Sequence, residues 1–215
     1  GRRASSSPVN SMKSAALDSN RSSNWQLIGW GGLVAGILIL SFYSVLAGIC
    51  INYIFISALP DLQLSSEEQF SITTSSASNL LIWHTVFILV TAGVIASGIK
   101  NGIGRFVRVL MPLLGFILIL MVLNAVINGD FLRGLQFLFS PDFSQVNPQT
   151  FLSAMGQAFF SLSLGMGAIM TYGAYMSDDQ KILSTSITVG GLDTLVALMA
   201  GLAIFPIIFA SGLEV

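Results

Sequence analysis

No charged side chain interrupts the stretch between Arg21 and Asp61, and that interval is long and apolar enough to decide what kind of chain this is. A helix needs about 20 mostly apolar residues to cross the hydrocarbon of a bilayer. Further apolar runs follow, set apart by short clusters of charge. The pattern predicts five spans, at about 25–57, 80–97, 106–127, 151–176 and 182–212, within a single membrane domain over 1–215. Composition agrees: 53% of the residues are hydrophobic and 9% are charged, where a soluble domain carries about a quarter charged residues. Backbone groups find no water in lipid, so each span must be helical. The predicted fold class is all-α, a polytopic membrane helix bundle.

The placement of charge sets a direction. With the spans alternating, one side holds Arg2, Arg3, Lys13, Arg21, Lys100, Arg105, Arg108 and Lys181. The other holds Arg133 alone among Asp61, Glu67, Glu68, Asp130 and Asp142. Positive charge stays in the cytoplasm, so the N-terminal end is predicted to be cytoplasmic and the C-terminal end extracytoplasmic. Residues 1–24 are polar and basic, begin without Met and hold no apolar signal region. The odd number of spans and the absence of a polar tail after Val215 agree with this, and the chain is expected to be a piece of a longer protein. Asn147-Pro148 predicts a helix start, with a capping side chain before a proline. Ser177 with Gln180 predicts a capping box opening a short cytoplasmic helix.

Several function classes fall away. There is no basic stripe with interleaved aromatics for nucleic acid. An enzyme would need paired acids, a histidine cluster or a nucleophile with its base, whereas His84 is the only histidine and is expected to make an interfacial hydrogen bond beside Trp83. Cys50, the only cysteine, permits no intrachain disulfide and is expected to be a small buried hydrophobe.

The polar groups inside the spans carry the chemistry. Span four contains Phe159-Phe160-Ser161-Leu162-Ser163-Leu164-Gly165-Met166-Gly167. Each glycine costs a helix interior about 1 kcal/mol, so Gly165 and Gly167 beside two hydroxyls mark a break point whose freed peptide groups can meet an ion or substrate. The same glycines could instead serve close helix packing. Asp193 is the only acid well inside a span. A carboxylate there costs at least about 2.5 kcal/mol and must face a cation, a proton or a donor; a sodium or proton ligand and a structural hydrogen bond are the two readings. Tyr43, in Ser41-Phe42-Tyr43-Ser44, can bond a substrate carboxylate or a neighbouring carbonyl. Pro112, with Gly102 and Gly104 upstream, loosens one end of span three, and Pro206 kinks span five.

The string Gly156-Gln157-Ala158-Phe159-Phe160-Ser161-Leu162-Ser163-Leu164-Gly165-Met166-Gly167-Ala168-Ile169-Met170-Thr171-Tyr172-Gly173 resembles the sixth transmembrane helix of the neurotransmitter:sodium symporter family, above all its bacterial amino-acid transporters. Gly1-Arg2-Arg3 with Asn10 and Lys13 is similar to the loop before helix three, Leu40-Ser41-Phe42-Tyr43-Ser44 to helix three, and Arg108-Val109-Leu110-Met111-Pro112-Leu113-Leu114 to helix five. The likeness runs in order along the whole chain.

The resemblance implies spans three to seven of a LeuT-type inverted-repeat fold, with a discontinuous helix near Ser161–Gly167, and secondary active transport of an amino acid driven by sodium, with no organic cofactor. It implies that Tyr43 bonds the substrate carboxylate, that Ile39 lines the pocket, that Phe160 forms an aromatic lid, and that Ser161 and Ser163 offer oxygens around substrate and ion. It implies that Met166 shapes the pocket where many relatives carry phenylalanine, which hints at a hydrophobic substrate. Asp193 falls where relatives often carry an asparagine sodium ligand, completing a sodium site with Ser161. A carboxylate there would repel chloride and replace its charge, so transport is expected to be chloride-independent; Gln157 borders that region. The spacing from Gly102 to Pro112 resembles a family pattern for unwinding the inner end of helix five. The family's first and eighth helices, absent here, supply much of the substrate and sodium sites, so the chain alone is expected not to transport and to leave Asp193 poorly satisfied. The alternative is a channel or receptor subunit with a structural Asp193; a channel would line a continuous pore with polar rings, which one interrupted helix and one acid do not make.

Overall fold

The structure, a computed structural model, describes residues 1–58, 66–98 and 102–212. These residues are all-α, in the order α1 (Pro8–Asp18), α2 (Gln26–Ser57), α3 (Ser66–Ser75), α4 (Ala77–Ala96), α5 (Gly104–Asn128), α6 (Phe131–Phe139), α7 (Pro148–Ser161), α8 (Ala168–Ala174) and α9 (Ile182–Ala210). Among the described residues, four helices are long and apolar enough to cross a membrane: Ser23–Ser57, which runs into α2 through a short 3₁₀ turn, then α4, α5 and α9. They coincide with four of the expected spans. The remaining one, 151–176, is divided into α7 and α8, neither of which alone has the length of a span. Their apolar side chains are largely exposed, as helices that meet lipid or further helices require.

The chain forms two compact units, residues 30–108 and residues 1–29 with 109–215. In the first, α2 and α4 cross at Gly48. A methyl group added there would lie 2.8 Å from the His84 amide nitrogen, so glycine is what allows the backbones to meet. Phe55 stacks on Trp83 beside this crossing, with ring centroids 5.2 Å apart. Ser76 caps α4 by accepting from the Asn79 amide at 3.3 Å, which starts the helix earlier than hydropathy alone indicates. His84 therefore lies two turns inside α4. Its Nδ1 is buried and meets no hydrogen-bond partner among the described residues, contrary to the expected interfacial bond. Cys50 is exposed rather than buried, because it projects from α2 away from the α4 crossing.

In the second unit, the amphipathic helix α6 was not foreseen from the sequence. Asp130 caps it, accepting from the Arg133 amide at 3.2 Å, and the Asp130 amide donates to the Pro206 carbonyl at 2.9 Å. Helix α6 packs on α9 at the proline. Phe137 lies 4.7 Å from Phe205 and 5.6 Å from Phe209 between ring centroids, and the Arg133 guanidinium sits 4.7 Å above the Phe209 ring. A methyl group on Gly134 would be 2.6 Å from Pro206 Cγ. The proline ring cannot swing away, so Gly134→Val is expected to destabilise the protein by about 2 kcal/mol, read as a lowered Tm of the detergent-solubilised full-length protein.

The turns between helices decide the rest. Asn147 accepts from the Thr150 amide at 3.0 Å while the Asn147 amide donates to the Thr150 hydroxyl at 3.2 Å, a complete capping box before Pro148. The short helix expected at Ser177–Gln180 is instead a single turn, closed by the Gln180 amide on the Ser177 carbonyl at 3.3 Å. Only a few residues separate α8 from α9, and the Arg2 guanidinium takes the Asp178 and Gln180 carbonyls, which prevents them from continuing a helical ladder. Ahead of α5, the Gly98 carbonyl accepts from both Gly102 (2.7 Å) and Ile103 (3.2 Å), and Gly102 passes against the Val94 carbonyl where no side chain would fit. The helix then continues through Pro112 without ending.

Candidate functional site at the interrupted helix

Helix α7 stops at Ser161 for a local reason. The Ser163 amide donates to the Phe160 carbonyl (3.0 Å) and the Leu164 amide to the Phe159 carbonyl (2.8 Å). These paired reversed bonds form the Schellman closure, which requires a left-handed residue after the cap. Ser163 occupies that position with φ of 53°, a conformation that costs a side-chain-bearing residue about 1–2 kcal/mol. Gly165 (φ 88°) and Gly167 (φ 77°) then turn the chain again, and α8 begins. Among the described residues, no backbone amide reaches the carbonyls from Ser161 to Met166, so the break sets out a short run of freed acceptors. The two readings of the glycines are thereby separated. Gly165 has nothing within 4 Å of an added methyl and serves conformation alone, whereas Gly167 also lets the Pro8 ring approach, 3.0 Å from where a Cβ would stand.

Asp193, on α9, meets the end of α7. The Ser161 hydroxyl donates across both carboxylate oxygens, at 2.7 Å to Oδ1 and 2.6 Å to Oδ2. A single O–H proton is thus shared between them, and the acid is satisfied within this chain rather than left without a donor. The hydroxyl and carboxylate oxygens retain lone pairs, and they stand at the residue where the freed carbonyls begin. Hard oxygen donors of this kind suit a hard cation.

The other predicted site residues are placed as follows. Phe160 and Ser161 lie on the last turn of α7, and Gln157 is exposed one turn earlier. Ser163, Gly165 and Met166 lie within the break, and Gly167 caps α8. Ile39 and Tyr43 belong to α2 in the other compact unit, one turn apart, Ile39 half-buried and Tyr43 exposed with its ring edge-on to Phe42 at 5.8 Å. The serines flanking Tyr43 are occupied within their own helix: Ser41 donates to the Leu38 carbonyl at 2.7 Å and Ser44 to the Ser41 carbonyl at 3.1 Å. Gly102 lies just before α5 and Pro112 within it. Two contributors were missed. The Thr171 hydroxyl donates to the Gly167 carbonyl at 3.1 Å and steadies the first turn of α8; its signal is a hydroxyl four residues after the break, positioned to bond back along the helix. Arg2 had no local signal at all, since its partners lie more than 170 residues away.

Fold and site together define a multi-pass helical membrane protein with one interrupted helix and an acid at the interruption. Residues 62–212 match the sodium:neurotransmitter symporter family. A sodium-dependent transporter of Bacillus subtilis, YhdH, is 35% identical across the whole of this chain and 48% of its own length. A sodium-dependent transporter of Haemophilus influenzae is 33% identical across the whole chain and 49% of its own length. The sodium-dependent nutrient amino acid transporter 1 of Drosophila melanogaster is 30% identical over 59% of this chain and 19% of its own length. The chain belongs to the sodium:neurotransmitter symporter family, and it spans about half the length of the first two of these relatives.

Proposed function

We propose that this chain is the central part of a sodium-coupled symporter for a neutral, hydrophobic amino acid, with sodium as the co-transported ion. The observation that carries the reading is the Ser161 hydroxyl held on both Asp193 oxygens where α7 ends. An acid inside a span marks an ion path more often than a structural bond, and interrupted helices in transporters hold substrate and ion at their freed peptide groups. In this reading Ser161 and Asp193 are sodium ligands. Tyr43 bonds the substrate carboxylate, Ile39 and Met166 shape the pocket, Phe160 closes over it, and Ser163 offers oxygen to substrate and ion. The fly relative, a sodium-dependent nutrient amino acid transporter by name, supports the amino-acid part. Residues 1–215 form one membrane domain with five crossings of a LeuT-type fold, α7 and α8 together making the fourth, in a plasma membrane that is a bacterial inner membrane. The charge distribution supports a cytoplasmic N-terminal end and an extracytoplasmic C-terminal end. Helices outside this chain complete the substrate and sodium sites.

The test is uptake by the full-length protein in liposomes. A labelled mixture of neutral amino acids is expected to accumulate only under an inward sodium gradient, and uptake without sodium would refute the coupling. Replacing chloride by gluconate is expected to leave the rate unchanged, because the Asp193 carboxylate supplies the negative charge beside Gln157. Asp193→Asn, which removes that charge, is expected to make the remaining uptake depend on chloride.

A further inference from the structure

We infer that residues Gly1–Pro8 form a strap that restrains α8, the second half of the interrupted helix, with Arg2 as its clasp. The strap follows α8 along its length. At one end the Pro8 ring rests against Gly167. Further along, the Arg2 amide stands 3.5 Å from where a Gly173 Cβ would be. Gly1 passes so close to the Met170 carbonyl that no side chain fits there. The half-buried Arg2 guanidinium then reaches past α8 into the turn that joins it to α9, donating to the Gln180 carbonyl at 2.7 Å and the Asp178 carbonyl at 2.5 Å.

The carbonyls rather than the carboxylate make this clasp. Arg2 Nε is 3.6 Å from the Asp178 carboxylate, whose side chain is fully exposed, and an exposed pair of this kind contributes little. Two charge-assisted bonds from one planar fork fix the turn in a single geometry, which a lysine point charge cannot reproduce. Among the described residues, α8 is a short helix that meets chiefly the turn at Arg2–Ala4 and the start of α1, joined on one side to the break and on the other to the clasped turn. Its freedom to move is therefore set by Arg2. This inference rests on the proposed transport cycle for its purpose, since a half-helix beside the ion site has to shift when that site opens to the cytoplasm.

The experiment uses the full-length protein in liposomes, with native cysteines including Cys50 replaced by alanine and one reporter, Ala174→Cys, at the half-buried end of α8. The rate of maleimide labelling reads exposure of α8 and needs no transport. Arg2→Ala is expected to raise that rate about tenfold, Arg2→Lys to raise it nearly as much, and Asp178→Ala to leave it unchanged. Labelling of Arg2→Ala at the parent rate, or an equal rise in Asp178→Ala, would overturn the strap. If Arg2→Ala cannot be recovered folded, Arg2→Gln is judged by the same two outcomes. In uptake, the loosened strap is expected to raise the sodium concentration for half-maximal rate by the same factor, because fewer molecules remain in the outward-binding state. A rise in labelling with no sodium dependence of uptake in the parent would uphold the strap and refute the transport reading instead.

Discussion

Asp193→Ala in the full-length protein is expected to lower sodium affinity about hundredfold and to abolish accumulation at ordinary sodium concentrations. The physical reason is the arrangement at the end of α7. Among the described residues the Asp193 carboxylate is the negative charge that meets the Ser161 hydroxyl, and its removal takes away both the charge and the group that orients the hydroxyl. A graded series separates these contributions. Asp193→Asn keeps one oxygen that can accept from Ser161 and loses the charge, so its sodium affinity is expected to fall between those of wild type and Asp193→Ala. Ser161→Ala keeps the charge and loses one neutral oxygen, which is expected to cost about tenfold. If Asp193 were only a structural partner of Ser161, the two alanine variants would behave alike, and both would show a stability loss with unchanged sodium dependence. The readout is therefore the sodium dependence of initial uptake rate alongside Tm.

Gly167→Ala is expected to destabilise the protein by about 3 kcal/mol, the sum of a left-handed backbone penalty and overpacking. The added methyl would stand 3.0 Å and 3.1 Å from two atoms of the Pro8 ring, which is held at the first position of α1 and is buried. Gly165→Ala carries the backbone penalty alone, because nothing lies within 4 Å, and about 1 kcal/mol is expected. Ser163→Gly should act in the opposite direction, stabilising by about 1 kcal/mol, since it relieves a left-handed serine. Thermal unfolding of the three variants in detergent gives the order directly: Ser163→Gly highest, Gly165→Ala below wild type and Gly167→Ala lowest. A left-handed serine at a position that favours glycine is the kind of local strain that gathers at functional sites.

The spans were legible because hydropathy and charge placement are local properties. The interval from Arg21 to Asp61 could hardly become anything but a long helix, and α2 fills it. The break was legible for the same reason: Gly165 and Gly167 carry their conformational preference with them, and both have positive φ. What escaped the sequence depends on partners distant along the chain. Helix α6 is too short and too mixed in polarity to announce itself, and it is fixed by packing Gly134 and Phe137 against α9. The turn at Ser177–Gln180 reads locally as a capping box and is diverted by Arg2. His84 and Cys50 were misplaced because their surroundings depend on where α2 crosses α4, and that is set by Gly48. The pairing of Ser161 with Asp193 was implied by family resemblance, and no spacing rule would have predicted it from residues 32 positions apart.

Equilibrium binding of radiolabelled sodium to the purified full-length protein tests the central claim most directly, since it needs neither a chosen substrate nor a completed transport cycle. Saturable binding that is retained in Gln157→Ala, weakened about tenfold in Ser161→Ala and about hundredfold in a folded Asp193→Ala is the result predicted for an ion held between α7 and α9. Undiminished sodium binding by Asp193→Ala would contradict it and leave the Ser161–Asp193 contact as a structural bond between two helices.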